Sequence, residues 1–131
     1  MSETRSVTAR KYRILVVDDN PANLRLLALM LGDHGFAVHT ANGGRVAIRF
    51  LETIIPDLIL LDGRMPEMDG FEVCERLKAD PRTRDIPVIF VSASSDPSDK
   101  VKAFHSGGVD YIMKPFLEED MLARIANHLA A

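Results

Sequence analysis

Two apolar runs in this chain stop abruptly at acid. Ile14-Leu15-Val16-Val17 runs into Asp18-Asp19, and Leu58-Ile59-Leu60-Leu61 runs into Asp62. Four large apolar residues in succession are too few for a helix and suit a strand covered on both faces, and Gly63 and Pro66 end the second element soon after Asp62. If the two strands are parallel neighbours, three carboxylates converge beyond their carboxyl ends, the rim at which open parallel sheets bind ligands. Crowded carboxylates repel unless a proton, a basic side chain or a cation compensates. A hard divalent cation, Mg2+ above all, suits such oxygen ligands. Two later apolar runs deliver Ser92 and Lys114 to the same rim. Acids, a small hydroxyl and a fixed positive charge suit phosphoryl transfer, where catalysis is mostly positioning and charge neutralisation. Asp62 can attack as a nucleophile and hold an aspartyl phosphate, while Lys114 pairs with one phosphoryl oxygen and Ser92 hydrogen-bonds another. Singly, each residue reads as well as a helix cap, a turn residue or a solvated charge. Their joint appearance at successive strand ends carries the assignment.

The elements that position these residues follow from spacing. Asn20-Pro21 opens a helix behind the acidic pair, with Leu24, Leu27, Ala28 and Leu31 inward and Gly35 as its stop. Leu26, Leu29 and Met30 make that helix apolar on a second side, which reads as an exposed docking patch in preference to a helix wedged between neighbours. Phe36 to Ala41 alternates and reads as an edge strand. Gly43 to Glu52 reads as a helix with Val46, Ala47, Phe50 and Leu51 inward. Asp69-Gly70 opens a helix whose Gly70, Val73, Cys74 and Leu77 face the core, Cys74 as a small buried hydrophobe. Asp96-Pro97 caps a polar helix reaching about Ser106, with Val101 and Phe104 inward. The closing helix turns Leu122, Ile125, Ala126 and Leu129 inward and carries Glu118, Glu119 and Asp120 in its first turn. Asp80, Asp85, Asp96 and Asp99 read as surface charge, and the four histidines show no metal spacing.

Five strands alternating with five helices imply right-handed crossovers and a parallel sheet covered on both faces. Apolarity places the first, third and fourth strands inside and the second and fifth at the edges. The expected fold is therefore α/β and flavodoxin-like, a doubly wound sheet of order 2-1-3-4-5.

Composition narrows the function. The 131 residues fit one domain, with 47% hydrophobic and 27% charged residues as in ordinary globular chains. One cysteine excludes an internal disulfide and a paired-cysteine zinc site. No apolar stretch reaches membrane-span length, and the polar N-terminus lacks a signal-peptide core. A net charge of -3 with mixed signs leaves no basic footprint for nucleic acid. The expectation is a cytoplasmic protein without direct nucleic-acid or membrane binding, with a disordered lead-in over 1–11 and one domain over 12–131.

From Tyr12 to Leu129 the chain resembles the receiver domain of bacterial two-component response regulators. The resemblance rests on Val16-Val17-Asp18-Asp19-Asn20, on Leu61-Asp62-Gly63-Arg64-Met65-Pro66 with Met68-Asp69-Gly70, on Val91-Ser92-Ala93, and on Asp110-Tyr111-Ile112-Met113-Lys114-Pro115-Phe116. It implies that Asp62 accepts a phosphoryl group from a phosphohistidine on a sensor histidine kinase or histidine phosphotransfer protein. It implies Mg2+ held by Asp19, Asp62 and the backbone carbonyl of Arg64, with Asp18 helping through water. It also implies a switch through Ser92 and Tyr111 to the face of the fourth helix, last strand and fifth helix, and a cis peptide before Pro115. Such a chain catalyses only its own phosphorylation and dephosphorylation. Its output would run through a binding partner, a C-terminal output domain beyond residue 131, or a phosphorylation-dependent dimer.

Arg64, large and basic two residues beyond the acceptor, stands where the family varies and where phosphoryl lifetime is tuned. Three rivals remain open on sequence. An aspartate-nucleophile phosphatase would need a second acid where Arg64 stands. A flavin or nucleotide binder would need glycine-rich or hydroxyl-rich cradles where Asp18-Asp19-Asn20-Pro21 is acidic. A phosphorylation-independent interaction module would not need the complete site.

Overall fold

In a computed structural model of the protein, which describes residues 11–130, the apolar runs become five parallel strands in the order β2-β1-β3-β4-β5. The strands are β1 (Arg13–Val17), β2 (Ala37–Ala41), β3 (Leu58–Leu61), β4 (Val88–Ser92) and β5 (Asp110–Met113), and the helices are α1 (Pro21–Asp33), α2 (Gly44–Phe50), α3 (Gly70–Ala79), α4 (Pro97–His105) and α5 (Glu118–Ala130). Residues 1–10 of the expected lead-in lie outside the described part. The strand order is the one apolarity implies. β1, β3 and β4 are buried almost throughout, while β2 is half-buried and β5 exposes Met113.

Because side chains alternate across a strand, the sheet divides its apolar residues between two cores. Leu15, Val17, Ile59, Leu61, Val88 and Phe90 pack with residues of α2 and α3, Ala47, Phe71 and Val73 among them. Ile14, Val16, Leu58, Leu60, Ile89 and Val91 pack on the other side with Leu27 and Leu31 of α1 and Met121 and Ile125 of α5. Register then sets the rim. Val17 lies opposite Leu61, so Asp18 and Asp62 leave their strands side by side. The Asp62 amide donates to the Val17 carbonyl at 2.9 Å, and the Lys114 amide to the Ser92 carbonyl at 2.8 Å.

Several helix faces differ from their expected orientation. In α4 the expected inward residues Val101 and Phe104 are 56% and 43% exposed. Asp99 and Ala103 are buried instead. The buried stripe is Asp99, Ala103 and Ser106, at helical spacing and with small or polar side chains, so a search for large apolar residues selects the opposite face. Val46 of α2 is likewise 43% exposed while Ala47 and Leu51 are buried. In α5 Met121 takes the buried place beside Ile125, and Ala126 is exposed.

In α1, Asn20 caps the first turn by accepting from the Ala22 and Asn23 amides. Leu26 and Leu29 are 58% and 66% exposed and face outward, whereas Met30 is half-buried and packs against the core. With Met30 and Phe116, Leu26 borders a groove of about 560 Å3 that runs alongside Lys114. Among the described residues no helix is long and apolar enough to cross a membrane.

The start of α3 is pressed against the acceptor strand. A Cβ built on Gly70 would lie 2.1 Å from the backbone oxygen of Asp62, closer than any real contact. The Gly70 amide donates to the Gly63 carbonyl at 3.0 Å, which locks the loop in this close approach. Gly70→Ala is therefore expected to destabilise the fold by about 1–3 kcal/mol, the usual cost of overpacking a rigid contact. Equilibrium urea unfolding checks this. An unchanged midpoint would show that the loop can shift without cost.

Candidate functional site

Asp18, Asp19 and Asp62 form the group that brings carboxylate oxygens within 4.8 Å of one another among the described residues. Asp18 and Asp62 are buried and Asp19 is exposed. Their situations differ. Asp18 is fully partnered: its Oδ2 accepts from Lys114 Nζ at 2.8 Å and from Asn23 Nδ2 at 3.2 Å, and its Oδ1 accepts from the Asn20 amide at 2.9 Å. Lys114 thus faces the acids from the end of β5, although it stands 96 positions beyond Asp18 in the sequence.

Asp62 has less to hold it. Its Oδ1 accepts from the Arg64 amide at 3.1 Å. Burial pushes its carboxyl up to about 6; the Arg64 amide and Lys114 oppose the rise, and Asp18 and Asp19 add to it. A partly buried carboxylate short of compensating charge, beside two further acids with hard oxygen donors, is the donor set that a divalent cation satisfies. The residues present fit Mg2+.

Ser92 ends β4 with only 2% exposure, and its Oγ accepts from the Ser94 amide at 3.1 Å. Tyr111 is buried and its hydroxyl donates to the Ser94 carbonyl at 3.0 Å. Ser92 and Tyr111 therefore grip one loop residue between β4 and α4. The Lys114-Pro115 peptide is cis, as the resemblance implies.

The structure brings Asp18, Asp19, Asp62 and Lys114 together as the strand ends suggest. It adds residues that spacing did not single out. Asn23 reaches back from α1 to Asp18. Ser94 links Ser92 to Tyr111. Asp99, expected as surface charge, is buried at 3% exposure and is ion-paired to Arg64, whose Nε donates to Asp99 Oδ2 at 3.1 Å while a second guanidinium nitrogen meets the other carboxylate oxygen. This pairing, helped by the Ser94 hydroxyl, holds the Asp99 carboxyl below the usual carboxylate range. The correction has a physical cause: an acid can face inward when a long basic side chain from another element meets it there. The available signal was the spacing of Asp99 with Ala103 and Ser106.

Chemically, the site offers a carboxylate able to attack, an acid cluster whose oxygens suit a cation, a lysine beside it and a buried hydroxyl on an adjacent strand. Comparison with known proteins points the same way. The family model for the response regulator receiver domain matches residues 14–126. The DNA-binding dual master transcriptional regulator RpaA of Synechocystis is 44% identical over 113 residues, which cover 86% of this chain and 47% of that protein. The response regulator PleD of Caulobacter vibrioides is also 44% identical over 113 residues, covering 86% of this chain and 25% of its own length. The chain thus spans about half or a quarter of these curated relatives. Among solved structures, the receiver domain of sensor histidine kinase PA1611 from Pseudomonas aeruginosa, with a magnesium ion coordinated in its active site cleft, superposes with a TM-score of 0.87 at 29% identity, covering 93% of this chain and all of that one.

Proposed function

Since this chain belongs to the response regulator receiver domain family, we propose that it is a phosphorylation-activated switch in which Asp62 takes a phosphoryl group from a phosphohistidine. The observation that carries this reading is the convergence of three acids from the ends of β1 and β3 with a lysine from the end of β5. The donor is a sensor histidine kinase or a histidine phosphotransfer protein. An Asp62 oxygen attacks phosphorus, the bond from phosphorus to the donor imidazole nitrogen breaks, and that nitrogen keeps the electron pair and takes up a proton. Asp19, Asp62 and the Arg64 backbone carbonyl would hold Mg2+, with Asp18 acting through water. Bound there, the ion supplies neutralising charge to the acids and to the phosphoryl oxygens. Lys114 pairs with one phosphoryl oxygen and the Ser92 hydroxyl donates to another. Ser92 can make that bond by turning from the Ser94 amide, and Tyr111 shares the same loop residue, which supports a route from the site to α4.

The chain acts catalytically on itself alone in this reading, and it works in the cytoplasm. Its output passes to a partner, to an attached domain, or to a dimer through the face of α4, β5 and α5, where Val101, Phe104 and Met113 are exposed. Sedimentation with and without a phosphodonor tests the dimer, and an unchanged sedimentation coefficient counts against it.

Incubation with Mg2+ and acetyl phosphate, read by intact mass, tests the reaction. A labile adduct of one phosphoryl group is expected on the wild-type chain and none on Asp62→Asn. An adduct on both would move the acceptor elsewhere. In the same assay Arg64→Ala is expected to form the adduct but shorten its lifetime several-fold, because the site loses a bulky cation rooted two residues from the acyl phosphate. An unchanged decay rate would remove Arg64 from the chemistry.

A further inference from the structure

We propose that Asp99 and the phosphoryl group on Asp62 compete for the guanidinium of Arg64, which makes Asp99 a positioning residue set against phosphoryl occupancy. This rests on the reading of Asp62 as the phospho-acceptor.

Arg64 touches both sides of the competition. Its amide donates to Asp62 Oδ1 at 3.1 Å, so its side chain is rooted beside the acceptor. The side chain leaves that root, lies with its guanidinium carbon 5.7 Å from the Phe71 ring centroid, and forks onto Asp99 in the first half of α4. The two ends of the pair are unlike. The Arg64 side chain is 57% exposed and can swing through solvent, whereas the Asp99 side chain is 4% exposed and fixed in its helix. A forked guanidinium-carboxylate pair is the strong form of such a contact, and a phosphoryl group presents the same fork to arginine with more negative charge. A largely exposed cation whose backbone is rooted beside the acceptor is thus already paired to a buried carboxylate.

The other groups near Asp99 do not substitute for Arg64. The Ser94 hydroxyl carries no charge. Lys102, one turn along α4, lies over the Phe71 ring with its ammonium 4.9 Å from the centroid. When Arg64 turns to the phosphoryl group, Asp99 is left buried with its strongest partner gone, at the start of the helix that carries the exposed Val101 and Phe104. Because such coupling is reciprocal, whatever Asp99 holds of Arg64 is subtracted from phosphoryl affinity.

Beryllofluoride, a non-covalent phosphoryl mimic, turns this into an equilibrium measurement by calorimetry at saturating Mg2+. Asp99→Asn keeps shape and removes charge, and is expected to bind beryllofluoride about fivefold more tightly than wild type. Arg64→Ala is expected to bind it several-fold more weakly. In the Arg64→Ala background, adding Asp99→Asn is expected to change nothing. No tightening in Asp99→Asn, or tightening that persists without Arg64, overturns the competition. A packing role for Asp99 alone predicts weaker binding in both backgrounds.

If Asp99→Asn does not fold, hydrogen exchange in wild type and Arg64→Ala decides the matter. Beryllofluoride is expected to speed exchange of the first-turn amides of α4 in wild type and to leave them unchanged in Arg64→Ala; equal responses overturn the proposal. Wild-type chain that binds no beryllofluoride removes the receiver chemistry and this competition together. Wild-type binding without the Asp99 effect removes the competition alone.

Discussion

In buffer stripped of divalent cations, Asp62→Asn is expected to be more stable than the wild-type chain by about 2 kcal/mol at pH 7. The Asp62 carboxyl is raised from 3.8 to about 6, chiefly by burial. A folded-state value above the unfolded one means that the stability contributed by the neutral carboxyl is fully present below about pH 4 and lost as pH rises through about 6. At pH 7 the wild-type chain has lost it, and the asparagine variant, which cannot ionise, has not. The full shift corresponds to about 3 kcal/mol, reduced because solvent still reaches the rim. Urea unfolding at several pH values checks the sign. The two chains should differ little at pH 4, separate between pH 4 and 6, and keep a constant gap above. Saturating Mg2+ should narrow the gap, since the charged carboxylate then has its counter-ion. A gap that ignores both pH and Mg2+ would mean that burial of Asp62 is not what raises its affinity for protons.

The second large effect is expected at Lys114. Lys114→Met should slow adduct formation from acetyl phosphate about a hundredfold at saturating Mg2+, the scale of losing one group that stabilises charge in the transition state. Its effect on Mg2+ binding should have the opposite sense. The lysine ammonium sits 2.8 Å from Asp18, so its removal leaves the acid cluster more negative and the cation is held equally well or better. Folding loses about 2 kcal/mol, because Asp18 keeps its bonds from Asn20 and Asn23 but not its charged partner. Slow phosphorylation with intact Mg2+ binding assigns Lys114 to the phosphoryl group. A parallel loss of both would make it a support for the metal cradle.

The architecture was legible because burial of a parallel strand leaves a plain mark. Leu58 to Leu61 is apolar at every position and β2 is not, which orders the sheet. The acids, Ser92 and Lys114 were legible for the same reason, as each directly follows a run whose end is easy to place. What escaped was the facing of single positions in α2 and α5 and, above all, that of α4 with everything that depends on it. Its inward stripe of Asp99, Ala103 and Ser106 carries no large apolar residue, so composition favoured the side with Val101 and Phe104. The partner of Asp99 lies 35 positions away on the loop after β3, and no local rule couples residues at that distance. Asn23 escaped differently: as the third residue of α1 it looked like part of the helix start, and its reach back to Asp18 depends on side-chain direction rather than spacing.

Asp18 and Lys114 meet although they stand 96 positions apart in the sequence, because every strand of a parallel sheet points its carboxyl end the same way. A nascent polypeptide that has left the ribosome only as far as β4 already holds every carboxylate of the cluster, yet it lacks the ammonium that answers them. The charge balance of the acid cluster is therefore completed last, when the edge strand joins the sheet.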